Sequence, residues 1–127
     1  MINKPPLRIL LVEDHEFARD LTQEQLAILG HHVQTVSNAE EALDALAAAE
    51  FDVLLTDVSL PGMSGVDLAR KVANEMPVLK IIFSSGYGTI ASESLKFKST
   101  SLPKPFTLVD LRQVLAEIGR ASCRERV

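Results

Sequence analysis

The chain has 127 residues, 46% of them hydrophobic, which is enough to bury the core of one domain. Its net charge of −4, from 13 basic and 17 acidic residues, provides no basic surface for nucleic acid, and no apolar stretch approaches the roughly 20 residues that cross a bilayer. A single cysteine, Cys123, excludes an intramolecular disulfide and is typical of a reducing compartment, so we expect a cytoplasmic protein that contacts neither nucleic acid nor membrane.

Short apolar runs, separated by segments with helical periodicity, predict five strands that alternate with helices. The strands are predicted at 7–12, 32–36, 51–56, 80–84 and 101–103. The run at 51–56 is the most apolar, which places that strand near the centre of the sheet. This alternation indicates an α/β fold, a doubly wound five-stranded parallel sheet with helices on both faces.

The first three helices have recognisable faces or caps. The first is predicted to turn Phe17, Leu21 and Ile28 toward the core. Asn38, followed three residues later by a glutamate, is predicted to cap the second helix, and Ser64 is predicted to cap the third.

The C-terminal third of the chain is less regular. The segment 86–99 is polar and weakly periodic, so it predicts a stunted fourth helix. The last helix is predicted to begin at Thr107. We expect one domain over 7–118, followed by a tail at 119–127 that is frayed or was added by cloning.

Polar side chains suited to phosphoryl chemistry follow four of the five strands. Glu13 and Asp14 follow the first strand, and Asp57 follows the third. A serine pair, 84–85, ends the fourth strand, and Lys104 follows the fifth. Ligands of parallel sheets bind beyond the carboxyl ends of the strands, so we expect these side chains to converge on one crevice.

Three carboxylates in one crevice repel each other, because two unit charges about 4 Å apart cost roughly 4 kcal/mol at an effective dielectric of 20. A hard divalent cation with oxygen ligands, Mg²⁺, would relieve this repulsion. Lys104 is a compact positive charge suited to a phosphate oxygen. An aspartate can itself be the nucleophile and form an aspartyl-phosphate.

Four segments together make the chain similar to the receiver domain of two-component response regulators. They are ILLVED at 9–14, LTDVSLPGMSG at 55–65, SSG at 84–86 and KPF at 104–106. Each is weakly specific alone, but their order and spacing are highly specific, and the resemblance covers about 7–118. It implies the sheet order 2-1-3-4-5 and a signalling domain that catalyses its own phosphorylation and dephosphorylation, rather than an enzyme.

The resemblance also implies a role for each acid of the crevice. Asp57 would accept a phosphoryl group from the phosphohistidine of a histidine kinase. Glu13, Asp14 and Asp57 would hold the Mg²⁺ ion, with Asp14 the direct ligand of the acidic pair. Ser59 would give the metal its backbone carbonyl.

Residues of the last two strands would contact the phosphoryl group and transmit its presence. Lys104 would pair with a phosphoryl oxygen, and its peptide bond to Pro105 is typically cis in the family. Ser85 would be the switching hydroxyl because Gly86 holds the small-residue position after it, with Ser84 the alternative one residue away.

The resemblance implies a histidine kinase or a histidine phosphotransfer domain as the partner, and a homodimer through the face of the fourth and fifth helices. The chain departs from the family at Ser101, where an aromatic residue is usual, and lacks the Gly-Ala pair before the fifth strand. The output surface is therefore less familiar than the crevice. A receiver of a hybrid histidine kinase and a stand-alone receiver both remain open.

Two other functions fit the same residues. A degenerate receiver would act only as a protein-interaction module, and a small-molecule enzyme or flavin binder would share the fold. Glu13 and Asp14 could simply cap the first helix, and Asp57 could be a turn residue. The three histidines have no metal-ligand spacing and are predicted to be surface residues; they are His15, His31 and His32.

Overall fold

The computed structural model describes the backbone of residues 6–86 and 97–125, and the side chains of these ranges up to Ile118. This part of the chain contains five strands and four helices. They are β1 (Arg8–Val12), α1 (Glu16–Ile28), β2 (His32–Val36), α2 (Ala39–Ala48), β3 (Val53–Asp57), α3 (Gly65–Glu75), β4 (Lys80–Ser85), β5 (Thr100–Pro103) and α4 (Leu108–Glu125). None of the described helices is long and apolar enough to span a membrane.

The strands form one parallel sheet in the order β2-β1-β3-β4-β5, which confirms the predicted fold class and strand order. The register aligns the carboxyl ends of the inner strands. Val12 lies opposite Thr56, and the next residue, Asp57, lies opposite Ser84 on β4. Polar residues that follow these strands are therefore delivered to the same edge of the sheet.

Apolar side chains cover both faces of the sheet, because strand residues alternate in direction while the central strands are buried on both sides. Every residue of β3 is buried. One core, which includes Leu54 and Phe83, packs against α2 and α3, and the other, which includes Leu55 and Ile82, packs against α1 and α4. The predicted helices on both faces are thus present.

The predicted N-caps of α2 and α3 have the expected geometry. The side chain of Asn38 accepts a hydrogen bond from the backbone N–H of Glu41 at 2.8 Å, and Ser64 Oγ accepts from the N–H of Asp67 at 3.1 Å. The side chain of Glu41 accepts a hydrogen bond from the backbone N–H of Ser37 at 2.9 Å, rather than from that of Asn38. Each cap is worth about 1 kcal/mol of stability.

The predicted inward face of α1 is wrong. Phe17, Leu21 and Ile28 are 83%, 48% and 65% exposed, whereas Thr22 and Leu26 are buried against the sheet. The buried row lies one residue further along the helix, a rotation of about 100° around its axis. The apolar stripe of Phe17, Leu21 and Ile28 therefore faces away from the sheet, and Thr22 occupies a buried position on the face that contacts it.

The C-terminal part differs in length from the sequence prediction. Helix α4 continues to Glu125, so the backbone of the predicted tail is helical up to that residue. The limits of the domain, 7–118, stay a prediction. The predicted fourth helix falls largely on 87–96, which lie outside the described residues, and 97–99 are not helical.

Candidate functional site

The carboxyl edge of the sheet collects the predicted polar residues. Glu13 follows β1 with 4% of its surface exposed, and Asp57 ends β3 with 9% exposed. Lys104 directly follows β5, and its backbone N–H donates to the carbonyl of Ser85 at 2.7 Å, which ties it to the end of β4. Residues that are 44 to 91 positions apart in sequence thus meet at one crevice.

Lys104 joins two of the three acids. Its Nζ donates to Glu13 Oε1 at 2.9 Å and to Asp57 Oδ2 at 3.4 Å. The Lys104–Pro105 peptide bond is cis. One ammonium group is therefore shared between the carboxylate that follows β1 and the carboxylate that ends β3, and Glu13 is the closer partner.

The pKa values of Glu13 and Asp57 are shifted in opposite directions. Burial alone would raise the pKa of Glu13, but hydrogen bonds from Lys104 and from the backbone of His15 outweigh burial and lower it. Burial raises the pKa of Asp57, and the charge of Glu13 adds to this rise against the opposing charge of Lys104. The pKa of Lys104 is raised, because the two carboxylates overcome the effect of its burial. Lys104 thus holds Glu13 ionised more firmly than Asp57.

The loop after Asp57 shapes the rest of the crevice. The N–H of Ser59 donates to Asp57 Oδ1 at 3.3 Å, which orients the carboxylate. Gly65 begins α3 so close beneath β3 that an added Cβ would overlap the carbonyl oxygen of Asp57. Its N–H donates to the carbonyl of Val58 at 2.9 Å and closes the loop. A glycine at 65 is therefore required for the helix to start directly under the acid.

Asp14 and its neighbours provide an arrangement that fits a divalent cation. Asp14 Oδ1 is buried and has no hydrogen-bond partner among the described residues, so one ligand atom is left for an ion. Ligand atoms of Glu13, Asp14 and His15 lie within 4.8 Å of one another. These are oxygen donors of the kind that Mg²⁺ prefers, together with one imidazole.

His15 is the site residue that the sequence analysis missed. Its side chain is 77% exposed, as predicted for a surface residue, yet its Nδ1 lies 3.4 Å from Glu13 Oε2 and 3.5 Å from Asp14 Oδ1. The available signal was adjacency in sequence, because His15 directly follows the two acids.

The two candidate hydroxyls have different surroundings. Ser84 is buried, and its Oγ has no hydrogen-bond partner among the described residues. It lines a cavity of about 10 Å³ that Asp57, Thr22 and Phe106 also line. Ser85 is half-buried at the end of β4, opposite Pro103, and its carbonyl accepts the N–H of Lys104. The backbone thus links Ser85, rather than Ser84, to the lysine.

The aromatic position of the family is replaced by a different contact. Ser101 lies on β5 opposite Phe83 of β4. The ring of Phe97, just before β5, packs against Phe83 with ring centroids 6.4 Å apart and a tilt of 50°. The aromatic group beside β4 therefore comes from four residues earlier in the chain.

Known proteins share this fold and sequence pattern. The response regulator receiver protein CpdR of Brucella abortus is 36% identical over 107 residues, which cover 82% of this chain and 89% of CpdR. The sensor protein TorS of Escherichia coli is 36% identical over 116 residues, but they cover only 12% of TorS, so this chain is much shorter than some relatives.

Solved structures and the family pattern agree with these relatives. A CheY-like response regulator receiver domain protein from Methanospirillum hungatei superposes with a TM-score of 0.86 at 27% identity, over 95% of this chain and 99% of that one. Residues 9–116 match the response regulator receiver domain. The chain therefore belongs to the family of response regulator receiver domains, which are signalling domains that take phosphoryl groups from histidine kinases.

Proposed function

We propose that Asp57 of this chain accepts a phosphoryl group from the phosphohistidine of a histidine kinase or a histidine phosphotransfer domain, and that the phosphorylated form binds its partners differently. The observation that carries the proposal is the placement of Lys104 between Glu13 and Asp57, at 2.9 and 3.4 Å. An ammonium at this position can hydrogen-bond the carboxylate of Asp57 before the transfer and a phosphoryl oxygen on Asp57 after it.

The protein's contribution to such a transfer is position and charge, because the transition state of phosphoryl transfer is loose. A carboxylate oxygen of Asp57 attacks phosphorus while the bond from phosphorus to the donor imidazole breaks. The N–H of Ser59 fixes the carboxylate by binding Oδ1. Lys104 donates to the phosphoryl oxygens, and the hydroxyl of Ser85 is the group predicted to respond to them.

We infer that Mg²⁺ is the cofactor, held by the carboxylates of Glu13, Asp14 and Asp57 and by the backbone carbonyl of Ser59. The buried, unpartnered Oδ1 of Asp14 supports this assignment. When bound, the ion supplies positive charge to the phosphoryl oxygens. The domain is proposed to catalyse only its own phosphorylation and dephosphorylation, without an external substrate. A cytoplasmic location and a homodimer through the face of the fourth and fifth helices stay predictions.

Intact-mass measurement after incubation with acetyl phosphate and Mg²⁺ tests the proposal. We expect the unmodified chain to gain one phosphoryl group and the Asp57→Asn variant to gain none. Asp67→Asn is the matched control, because Asp67 is an exposed aspartate in the first turn of α3. An adduct that persists in Asp57→Asn would contradict the proposal, and no adduct at all would favour a protein-interaction module.

The switching hydroxyl is tested by a pair of variants. Ser85→Ala is expected to phosphorylate but to lose the change in partner binding, since Ser85 is tied to Lys104 through the backbone. Ser84→Ala is expected to keep that change. The reverse result would assign the role to Ser84.

A further inference from the structure

We propose that Arg19 is a positioning residue for the phosphoryl-transfer site, because its guanidinium holds the turn that presents Glu13 and Asp14 to the metal ion. The inference rests on the proposed function and adds a residue of α1 to it. Arg19 Nη1 donates to the backbone carbonyl of Glu13 at 3.0 Å, six residues back along the chain. The side chain therefore crosses the turn between β1 and α1 and binds the backbone on its far side.

The backbone of Glu13 is held on both sides. Its N–H donates to the carbonyl of Val36, at the end of β2, at 3.1 Å, and its carbonyl accepts from Arg19. That carbonyl belongs to the peptide group that joins Glu13 to Asp14, and a peptide group is planar. The direction of the carbonyl therefore constrains where the chain places the Cα atom of Asp14.

The carboxylate of Asp14 depends on this support more than that of Glu13 does. Asp14 Oδ1 makes no hydrogen bond to the described residues and lies 3.5 Å from the ring of His15, which is itself 77% exposed. The carboxylate of Glu13, in contrast, is fixed directly by Lys104 Nζ at 2.9 Å. The turn that Arg19 binds therefore decides more of the position of Asp14 than of Glu13.

An arginine suits this position, because a guanidinium is always charged and presents several N–H donors in one plane. The backbone N–H of Arg19 donates to the carbonyl of His15 at 2.9 Å, in the first turn of α1. Arg19 also lies near α2. The pKa of Glu41 is lowered mainly by its hydrogen bonds with the backbone and hydroxyl of Ser37, and in smaller part by the charge of Arg19. Support of the acidic turn and attraction to α2 are thus two roles that an experiment can separate.

A titration of the full chain with MgCl₂, followed by backbone NMR, measures the first role. Arg19→Met keeps the long aliphatic stem but donates no hydrogen bond. Since Mg²⁺ demands near-ideal octahedral geometry, we expect this variant to raise the Kd of Mg²⁺ about tenfold, the lower end of the loss that partners of metal ligands typically cause. Arg19→Lys restores a charged donor without the planar fork, so its Kd should be intermediate.

Glu41→Gln is the matched control for the contact with α2. Its side-chain oxygen can still accept the N–H of Ser37, and the bond from Arg19 to the carbonyl of Glu13 stays intact. Because an exposed ion pair is worth little, the Kd of Mg²⁺ should stay within about twofold of that of the unmodified chain. An equal rise in Kd in Glu41→Gln and in Arg19→Met would overturn the proposal.

Amide hydrogen exchange of the metal-free protein separates this inference from the magnesium site. Arg19→Met is expected to speed exchange at Glu13 about fivefold more than at Leu55 of β3, because the turn loses one hydrogen bond. A purely structural arginine would speed both amides alike and leave the Kd of the folded protein unchanged, which would overturn the proposal. If the unmodified chain binds no Mg²⁺, the proposed cofactor is contradicted, and hydrogen exchange alone decides whether Arg19 holds the turn.

Discussion

Lys104 provides one positive charge to two carboxylates, so its removal should affect the hydrogen bonding and charge balance of both Glu13 and Asp57. The variant Lys104→Ala is expected to fold but to lose about 1–3 kcal/mol of unfolding free energy at pH 7, because Glu13 and Asp57 lose their donor. Its phosphorylation by acetyl phosphate is expected to be impaired as well. Urea denaturation and intact mass measure the two effects.

The stability lost in Lys104→Ala also has a pH dependence. Since Lys104 holds the pKa of Glu13 below its ordinary 4.5, the stabilisation is present above that value and is lost as the pH falls below it. The difference between the two proteins should therefore shrink in acid. Lys98→Ala, at an exposed lysine, is the control and should change stability by less than about 0.5 kcal/mol. Equal stability and equal phosphorylation in Lys104→Ala would refute the role of this residue.

Ser84 provides a second prediction at the scale of the residue. Its buried hydroxyl has no partner among the described residues, so Ser84→Ala is expected to raise the unfolding free energy by about 1 kcal/mol. Ser64→Ala is expected to lower it by about 1 kcal/mol, because the Ser64 hydroxyl caps α3. Chemical denaturation of both variants decides the signs, and a destabilised Ser84→Ala would mean that the hydroxyl is hydrogen-bonded in solution.

The positions of the site residues could be predicted, but their interactions could not. Parallel strands end at one edge, so the convergence of Glu13, Asp57 and Lys104 followed from the order of apolar runs alone. The preference of Lys104 for Glu13 depends on distances of 2.9 against 3.4 Å, which no sequence pattern encodes. His15 was missed for a related reason, since its reach toward the acids depends on how the chain turns between β1 and α1.

At the scale of the element, caps were predictable and the face of α1 was not. Asn38 and Ser64 act through a backbone N–H three residues away, so local sequence is sufficient. The face of α1 is decided by what the sheet leaves room for. There the buried Thr22 displaces the more apolar Leu21, which hydrophobicity alone would have chosen.

The corrected face of α1 makes a direct prediction. Leu26→Ala is expected to lower the unfolding free energy by about 2–5 kcal/mol, because the side chain of Leu26 is fully buried against the sheet. Ile28→Ala is expected to change it by less than about 0.5 kcal/mol, since Ile28 is 65% exposed. Urea denaturation of the two variants compares them directly, and similar losses would mean that the helix is rotated in solution.

At the scale of the whole molecule, the edge opposite the crevice holds a pH-sensitive contact. The N–H of Leu7 donates to Nδ1 of His31 at 3.0 Å, just before β1 and β2 begin to pair. Burial lowers the pKa of His31, and the neighbouring His32 adds to this effect. Nδ1 can accept this bond only while it is unprotonated, so the segments that lead into β1 and β2 are joined best by the neutral ring.

The sign of the resulting pH dependence follows from linkage. The unfolded chain takes up the proton near the ordinary value of 6.5, more readily than the folded chain, so stability is present above pH 6.5 and declines below it. We expect about 1 kcal/mol to be lost between pH 7.5 and 5, the worth of one hydrogen bond. His31→Asn, whose side-chain oxygen can accept the same bond without titrating, should flatten the decline. His32→Asn should reduce the decline only slightly, because His32 is the smaller cause of the lowered pKa of His31. Because every other titrating group is common to these proteins, identical curves for the unmodified chain and His31→Asn would exclude this contact as the cause.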